Sequence, residues 1–350
     1  MHNLLTDIAG VAVGHATDLR LGSGVTAILF DAPAIASVVI LGGAPGTRDT
    51  ALLEPEMTVE HIDAIVLSGG STFGLDAGGG AQAALREMGR GFMLGAVNIP
   101  LAPCAIVFDL ANGGDKDWGR FPPYRDLGYA ALRAAKPGAF ALGSVGVGTG
   151  ATTATVKGGL GSASAVTSTG HLVAVIVAVN AVGTATIGDT AHFWSAPFER
   201  HGEFGDLGWP ARFTATDLAP HFKGAPGTST TIGLVVTDAA LTKAQCKRLA
   251  IMANDGLARA ILPAHAPNDG DTVFAASTGA RAMIDPRELA EIGHVATQVM
   301  ARAIARGVYE ATALPYPGAT QSWRDRFGQD GPIARADGDR AGPAGHPPAN

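Results

Sequence analysis

The sequence has 350 residues, of which 47% are hydrophobic and 16% are charged. Because globular proteins average roughly 25% charged residues, this composition excludes a disordered chain and a coiled coil. The formal net charge is −6 and Lys and Arg do not cluster, so the basic surface of a nucleic-acid-binding protein is missing. We expect a globular protein with a large core and no nucleic-acid partner.

Several features bear on the cellular compartment. Cys104 and Cys246 are the two cysteines, too few for a disulfide framework, and they fit a reducing compartment. The first residues lack the basic and apolar regions of a secretory signal. The longest apolar run, 172–179, is far shorter than the ~20 residues that span a bilayer. We therefore expect a cytoplasmic protein with no membrane partner.

The first half of the chain alternates short β-rich runs with glycine-rich turns and helical stretches. Runs at 25–30, 36–41 and 62–67 predict strands, and residues 68–76 predict a turn that opens a helix continuing toward Leu85. Further strands are predicted at 138–147 and at 172–187, where near-continuous Val, Ile and Ala content indicates burial on both faces. This alternation is typical of a layered α/β or α+β fold.

The second half begins with an irregular segment. Residues 189–229 are rich in Pro, Gly, charged and aromatic residues and have no sustained period, which is typical of a functional or flexible loop. Strands follow at 231–237 and 272–276, separated by a helix with a capping box of Thr242 and Gln245. A final helix is predicted to begin at Asp285 and to end before Gly307. Residues 330–350 have almost no large apolar side chains and are predicted to be disordered.

Three polar features are candidates for a functional site. A row of hydroxyls at 228–231 stands where the irregular segment meets a strand, a turn at 268–271 has two carboxylates, and Lys157 and Asn180 interrupt apolar or small residues. Each has an ordinary structural explanation, since Thr favours strands and Asn-Asp-Gly favours turns. No histidine pair has the spacing of a catalytic zinc site, and we expect no metal or cofactor.

The order of the motifs identifies a family. The chain resembles the DmpA-type self-cleaving aminopeptidases, which include L-aminopeptidase/D-esterases, β-peptidyl aminopeptidases and nylon-oligomer hydrolases. The resemblance covers about residues 5 to 310 and depends on five phrases, at 67–77, 145–151, 158–164, 179–183 and 230–239. It implies an α+β fold, a four-layer α-β-β-α sandwich of the N-terminal-nucleophile-like type. It also implies a precursor that is cut before a Ser or Thr at the start of a core strand.

The resemblance implies a role for each candidate residue. The nucleophile position falls on Thr230, so the cut lies between Ser229 and Thr230, and the freed α-amine (pKa of ~7.7 to 8.0) becomes the base. Asn180 matches the oxyanion Asn, whose amide can donate to the developing negative oxygen. Lys157, Asp269 and Asp271 match a Lys and an Asp-Gly-Asp of the nylon-oligomer hydrolases, where they would tune and orient the amine.

Two positions depart from the family pattern. The residue before the cut is usually Asn or Gly, whereas here it is Ser229, so cleavage could be slow or shift to the bond between residues 228 and 229. Phe108 stands where the nylon hydrolases have a Tyr, which leaves the nylon-oligomer assignment open.

The sequence thus predicts an autoprocessing amide hydrolase for short peptides, amino-acid amides or 6-aminohexanoate-type oligomers. Its one domain would span residues 1–329, with an α subunit of 1–229 and a β subunit of 230–350. By the resemblance, the αβ units would form a homo-oligomer, a tetramer. Two alternatives stay open: an acyl transferase similar to ornithine acetyltransferase, and an uncleaved binding protein with the same fold.

Overall fold

The computed structural model describes residues 1–224, 229–283 and 285–328. Within these residues the strands are β1 (Val11–Asp18), β2 (Ser23–Ile40), β3 (Thr47–Arg48), β4 (His61–Ser68), β5 (Phe92–Leu94), β6 (Val97–Ile99), β7 (Cys104–Ile106), β8 (Gly159–Val166), β9 (Leu172–Asn180), β10 (Thr230–Ala239) and β11 (Thr272–Arg281). The α-helices are α1 (Asp76–Glu87), α2 (Tyr124–Arg133), α3 (Lys243–Ala260), α4 (Arg287–Tyr309) and α5 (Trp323–Phe327).

One long strand connects two groups of strands. The hydrogen-bonded order is β3-β7-β4-β2-β11-β10-β9-β8, with β1 also paired to β2, and β5 and β6 form a separate hairpin. The first half of β2 pairs with β1 and β4, whereas its last residues, 35–40, pair with β11. The 18-residue strand β2 therefore belongs at its two ends to two different parts of the sheet.

Three hydrophobic cores separate four layers. The first core packs α1 and α2 against β2, β4 and β7; the second lies between the two groups of strands; the third packs α3 and α4 against β8 to β11. Alternate residues of β9 serve different cores, because Val173, Val175, Val177 and Val179 face the helices whereas Ala174, Ile176 and Ala178 face the other strands. This arrangement confirms the predicted α-β-β-α sandwich and explains the continuous apolar run.

Several predicted elements differ from the structure. Residues 138–147 form no strand; Gly138 and Gly143 have positive φ, and Gly143 makes an isolated bridge to Leu160. Strand β9 ends at Asn180 rather than at residue 187. Helix α4 continues past Gly307, which faces the backbone of β8 instead of ending the helix. The predictions for α1, β4, β10, β11 and the Thr242–Gln245 capping box are confirmed.

The irregular segment is packed rather than extended. Its described part, 189–224, contains a 3₁₀ turn at Ala196–Phe198 and no strand or α-helix. The buried rings of Phe193 and Phe204 join the helix-side core, where Phe193 stacks on Trp323. The predicted tail at 330–350 lies outside the described residues. Among the described helices, none combines the length and apolar character that crossing a bilayer requires.

Candidate active site

The two ends that enclose the irregular segment meet in space. Asn180 is the last residue of β9, Thr230 is the first residue of β10, and these antiparallel strands place the two residues directly opposite each other. Both side chains are buried. The residues predicted as oxyanion donor and nucleophile are therefore cross-strand neighbours.

The carboxylates reach the same point from the other side of β10. Strand β10 runs parallel to β11, so residues 269–271, which lead into β11, lie beside residues 229–231. The Asp271 Oδ1 atom accepts a hydrogen bond of 2.7 Å from the backbone N–H of Thr231, and Ser229 bridges to Asp269. The two predicted acids thus flank the peptide bond at which cleavage is expected.

The glycine between the two acids is required by the position of Thr230. A Cβ atom added to Gly270 would lie 2.6 Å from the Oγ1 atom of Thr230 and 3.0 Å from the carbonyl oxygen of Ala44. Such distances are too short for van der Waals contact, so any larger residue would displace the Thr230 side chain. The Asp-Gly-Asp phrase therefore has a physical reason in this chain.

The paired carboxylates repel each other in a buried setting. Burial and then the neighbouring charge of Asp271 raise the pKa of Asp269 far above that of an ordinary aspartate. The Oδ2 atom of Asp271 accepts hydrogen bonds from the backbone N–H (3.0 Å) and from Nδ1 (2.8 Å) of His265. Asp271 is thus held by donors, whereas Asp269 is the member of the pair that retains a proton more readily.

The side-chain amide of Asn180 has a fixed orientation. Its Oδ1 atom accepts hydrogen bonds from the backbone N–H of Thr152 (3.0 Å) and from Nζ of Lys223 (2.7 Å). Its Nδ2 atom donates to the carbonyl oxygen of Phe108 at 2.9 Å. Because both partners of Oδ1 can only donate, the amide nitrogen must face the side on which Phe108 lies.

Lys157 supports the loop that holds Asn180. It is fully buried, and its Nζ atom donates to the carbonyl oxygens of Gly148 (3.0 Å), Ala151 (2.6 Å) and Gly158 (2.9 Å). Burial lowers the pKa of Lys157 to about 7, while the three acceptors match the three donors of an ammonium group. Its hydrogen bonds within the described residues go to backbone carbonyls, so the structure connects it to the site through the loop of Thr152.

Three residues of this region are absent from the sequence-based prediction. Lys223 reaches Asn180 from the irregular segment, His265 binds Asp271, and Asp109 is a buried acid that accepts hydrogen bonds from Ser23 Oγ (2.6 Å) and Gly70 N (2.8 Å). His265 could have been found from its position six residues before Asp271. No local sequence pattern indicates Lys223 or Asp109, because their hydrogen-bonding partners are distant in sequence and become neighbours only in the folded chain.

A small cavity opens beside Asn180. Its volume is about 200 Å³, and it is bordered by Phe108, Asp109, Ala111, Asn112, Gly150, Thr152, Lys223 and Thr320. Most of these groups are small or neutral, and Asp109 and Lys223 provide one charge of each sign. Burial raises the pKa of Asp109. Within the described residues, no group of three or more His, Cys, Asp or Glu side chains is arranged to hold a metal ion.

Comparison with known proteins identifies the family. The model of Peptidase family S58 matches residues 3–321. The chain belongs to peptidase family S58. An uncharacterized aminopeptidase of Mycobacterium tuberculosis (strain ATCC 25618 / H37Rv) is 40% identical over 347 residues, covering 93% of this chain and 98% of the relative. A 6-aminohexanoate-oligomer endohydrolase of Kocuria sp. (strain KY2) is 30% identical over 285 residues, covering 78% of this chain and 74% of the relative.

Solved structures of similar fold agree with this assignment. A β-aminopeptidase of Burkholderia sp. has a TM-score of 0.69 at 22% identity and covers 99% of this chain and 96% of its own. The L-aminopeptidase D-Ala-esterase/amidase of Ochrobactrum anthropi, described as a variant of the Ntn hydrolase fold, has a TM-score of 0.65 at 21% identity, with 92% and 90% covered. This family S58 peptidase is therefore a hydrolase of peptide or amide bonds, an aminopeptidase or amidase, and its fold is similar to this variant of the Ntn hydrolase fold. The family match favours the hydrolase over the acyl transferase and the binding protein.

Proposed function

We propose that the chain cuts itself between Ser229 and Thr230 and that Thr230 then serves as the nucleophile of an aminopeptidase. The observation that carries this proposal is the position of Thr230, opposite Asn180 in the sheet and beside the Asp269–Asp271 pair. These groups supply a hydroxyl, an oxyanion donor and acids at one buried point.

The first step would be an intramolecular acyl shift. The Thr230 hydroxyl is hydrogen-bonded to the carbonyl oxygen of Ser229, which places it next to the bond to be cut. Addition of the hydroxyl oxygen to the Ser229 carbonyl carbon, followed by breakage of the C–N bond, gives an ester and a free α-amine on Thr230. Water then hydrolyses the ester, so Ser229 ends as a carboxylate and Thr230 regains its hydroxyl.

Turnover would use the new amine as the base. A Thr hydroxyl is unreactive at neutral pH, but the neighbouring α-amine has an ordinary pKa of ~7.7 to 8.0 and can take its proton. The hydroxyl oxygen adds to the substrate carbonyl carbon, and the Asn180 amide donates to the oxygen that becomes negative. The substrate C–N bond then breaks, the product amine leaves with the proton that the Thr230 amine took up, and water hydrolyses the Thr230 ester to release the acid. The carboxylates of Asp269 and Asp271 lie where they can orient the amine by charge-assisted hydrogen bonds.

The two products of the cut would remain one folded unit. Strand β10 begins the proposed β subunit of residues 230–350, and its residues 230–237 pair with β9 of the proposed α subunit, residues 1–229. Strand β11 also pairs with β2. Separation of the subunits would break both of these ladders, which supports a single domain over residues 1–329.

The substrate class follows from the family and the cavity. We infer a short peptide or amino-acid amide with a free amino end, because relatives are named aminopeptidases. A 6-aminohexanoate-type oligomer is the second candidate, since relatives include 6-aminohexanoate-oligomer endohydrolases and Asp269 and Asp271 match their acids. Phe108 borders the cavity with a ring and no hydroxyl, so any contact there with substrate is apolar.

The decisive experiment is the intact mass and N-terminal sequence of the purified protein. We expect two chains on a denaturing gel, the smaller of which begins Thr-Thr-Ile-Gly. The cleaved protein should release p-nitroaniline from amino-acid p-nitroanilides and should not do so when the amino group is acetylated. A single chain after prolonged incubation, or a new terminus at Ser229, contradicts the proposed cut.

We also infer a cytoplasmic homo-oligomer. The two cysteines, Cys104 and Cys246, are buried and unpaired, which fits a reducing compartment. Cell fractionation tests the location, and light scattering tests whether αβ units assemble into a tetramer.

A further inference from the structure

Lys223, which is half-buried, differs from the buried lysines Lys157 and Lys243 in what it binds. The ammonium groups of Lys157 and Lys243 each donate to three backbone carbonyls, which is a structural arrangement. The Lys223 Nζ atom instead donates to a side chain of the candidate site, the Oδ1 atom of Asn180, at 2.7 Å, and to the carbonyl of Thr152 at 3.2 Å. Its contacts therefore depend on the orientation of Asn180.

Lys223 is positioned by both the segment before the cut and the end of β9. It stands six residues before Ser229, and its backbone N–H donates to the carbonyl of Val182 at 2.8 Å. Asn180 lies two residues before Val182. The intact chain thus turns back on itself so that its own cation meets the amide at the end of β9.

The two donors on Oδ1 decide how the amide faces. With Thr152 N–H and the Lys223 ammonium both on the oxygen, a flipped amide would point its NH2 group at two donors. A cationic donor on the oxygen also draws electron density from the amide, which makes its N–H groups stronger donors.

We propose that Lys223 is a positioning residue for self-cleavage: from the segment ahead of the cut, it holds Asn180 in the orientation that stabilises the oxyanion at Ser229. This inference rests on the proposed function. Burial lowers the pKa of Lys223, with Asp109 and then Asp269 as the nearby charges that favour its protonated form. Lys116 also lies near Asp109, and Lys157 faces both Asp109 and Lys223.

The test follows cleavage of newly made chain. Protein is pulse-labelled in a cell-free system, and its conversion to two chains is followed on denaturing gels. Lys223→Ala should slow conversion about 10-fold to 100-fold, the size expected for loss of one charge-assisted hydrogen bond. Ethylammonium should restore the rate of Lys223→Ala in a saturable manner, whereas ethanol at the same concentration should not.

The rescue separates positioning from packing. In an Asn180→Ala/Lys223→Ala double variant, ethylammonium should have no effect, because the group that the amine would orient is gone. Lys243→Ala is the matched control, a buried lysine remote from the site, and ethylammonium should not change its cleavage rate. Lys223→Met keeps the aliphatic stem of the side chain. If Lys223→Ala does not fold, the cleavage rate of Lys223→Met is measured in its place.

Each failure has a distinct meaning. If the wild-type chain never cleaves, the proposed function is wrong. If the wild type cleaves and both Lys223 variants cleave at the same rate, the positioning role is overturned. Two further results overturn the positioning role and assign Lys223 to packing of the loop. One is slow cleavage of Lys223→Ala that ethylammonium does not accelerate. The other is an equal acceleration of the Asn180→Ala/Lys223→Ala double variant by ethylammonium.

Discussion

The strand pair β9–β10 has a cluster of buried polar and charged side chains at each end. At one end, Asn180 and Thr230 lie beside Asp269, Asp271 and Lys223. At the other end, His171 precedes β9 and contacts Asp238 of β10 and Glu288 of α4. His171 and Asn180 are nine residues apart, so a rise of ~3.3 Å per residue separates the two clusters by about 30 Å.

The charges are arranged differently at the two ends. His171 lies between two acids, with Nε2 2.8 Å from Glu288 and Nδ1 3.5 Å from Asp238, so a ring separates the two carboxylates. At the Thr230 end, two acids lie together, burial and then the charge of Asp271 raise the pKa of Asp269, and a cavity adjoins the cluster. Both ends of the strand pair contain buried acids, whereas two acids held together beside a cavity are found at the Thr230 end.

The largest expected effect is on the nucleophile. Thr230→Ala removes the hydroxyl that would attack both Ser229 and the substrate, so this variant should remain one chain and have no measurable amidase activity. Thr230→Ser, which keeps a hydroxyl, is the control and should cleave itself. Denaturing gels and p-nitroanilide assays measure the two effects, and amidase activity in an uncut, folded Thr230→Ala chain would contradict the assignment.

The second effect concerns the oxyanion donor. Asn180→Ala should lower kcat of cleaved enzyme about 100-fold to 1,000-fold with a smaller change in KM, because the amide acts on charge that develops in the transition state. Steady-state kinetics on fully cleaved protein measure it. A kcat close to that of the wild type would mean that Asn180 only holds the ends of β9 and the loop together.

Much of the fold could be predicted because its signals are local. The continuous apolar run of β9, the hydroxyl-led start of β10 and the Thr242–Gln245 capping box lie within short stretches of sequence. Strand β8 could not be predicted in this way, since its glycines are there for a partner that is distant in sequence. A Cβ atom on Gly161 would lie 1.8 Å from the carbonyl oxygen of Ala303 in α4.

The candidate site also contains some residues that could be predicted from local sequence and one that could not. Thr230 and Asn180 were found because family phrases include them, and Asp269 and Asp271 because they match an Asp-Gly-Asp of the nylon-oligomer hydrolases. The structure brings these four residues together. The roles assigned to them remain predictions. Lys223 was missed because its partner, Asn180, is 43 residues away and becomes its neighbour only when the irregular segment folds back onto β9.

The third effect has both a kinetic and a thermodynamic part. Asp269→Asn should slow turnover of the cleaved enzyme about 10-fold to 100-fold, because the protonated Thr230 amine formed by the cut favours the ionised form of Asp269, and an amide cannot supply that negative charge. Since the folded state raises the pKa of Asp269, the folded chain binds this proton more tightly than the unfolded chain. The stability of the wild type should therefore fall as pH rises from the ordinary aspartate pKa of about 4 toward the raised value.

This thermodynamic part is measured on uncut protein. In a Thr230→Ala background, the Tm of the Asp269→Asn variant minus that of its parent should increase with pH across this range. A constant difference would show that the two carboxylates do not interact in the folded chain. The Asp269–Asp271 pair would then not distinguish the Thr230 end of the strand pair from the His171 end.

The fourth effect compares two lysines with the same local chemistry. Lys157→Met and Lys243→Met each leave three carbonyls without their ammonium donor, so both should lower the Tm. Only the loss of Lys157 should move the acid limb of the kcat/KM profile to higher pH, because a cation near the Thr230 amine favours its neutral form. Profiles that coincide for the wild type and both variants would assign Lys157 to structure alone.

The smallest effect on activity is expected at the far end. His171→Ala removes the ring nitrogen that lies 2.8 Å from the Glu288 carboxylate, and loss of one partner of a buried hydrogen bond costs about 1 to 3 kcal/mol of unfolding free energy. His171→Gln keeps a neutral donor and should lose less stability. Both variants should retain the kcat/KM of the wild type once cleaved, because this cluster lies about 30 Å from Thr230, at ~3.3 Å for each of the nine residue steps from His171 to Asn180. Denaturant unfolding and p-nitroanilide assays on the same preparations test this pair of expectations. A fall in kcat/KM without a fall in stability would show that the two ends of the strand pair are coupled. The cluster of His171, Asp238 and Glu288 would then have more than a structural role.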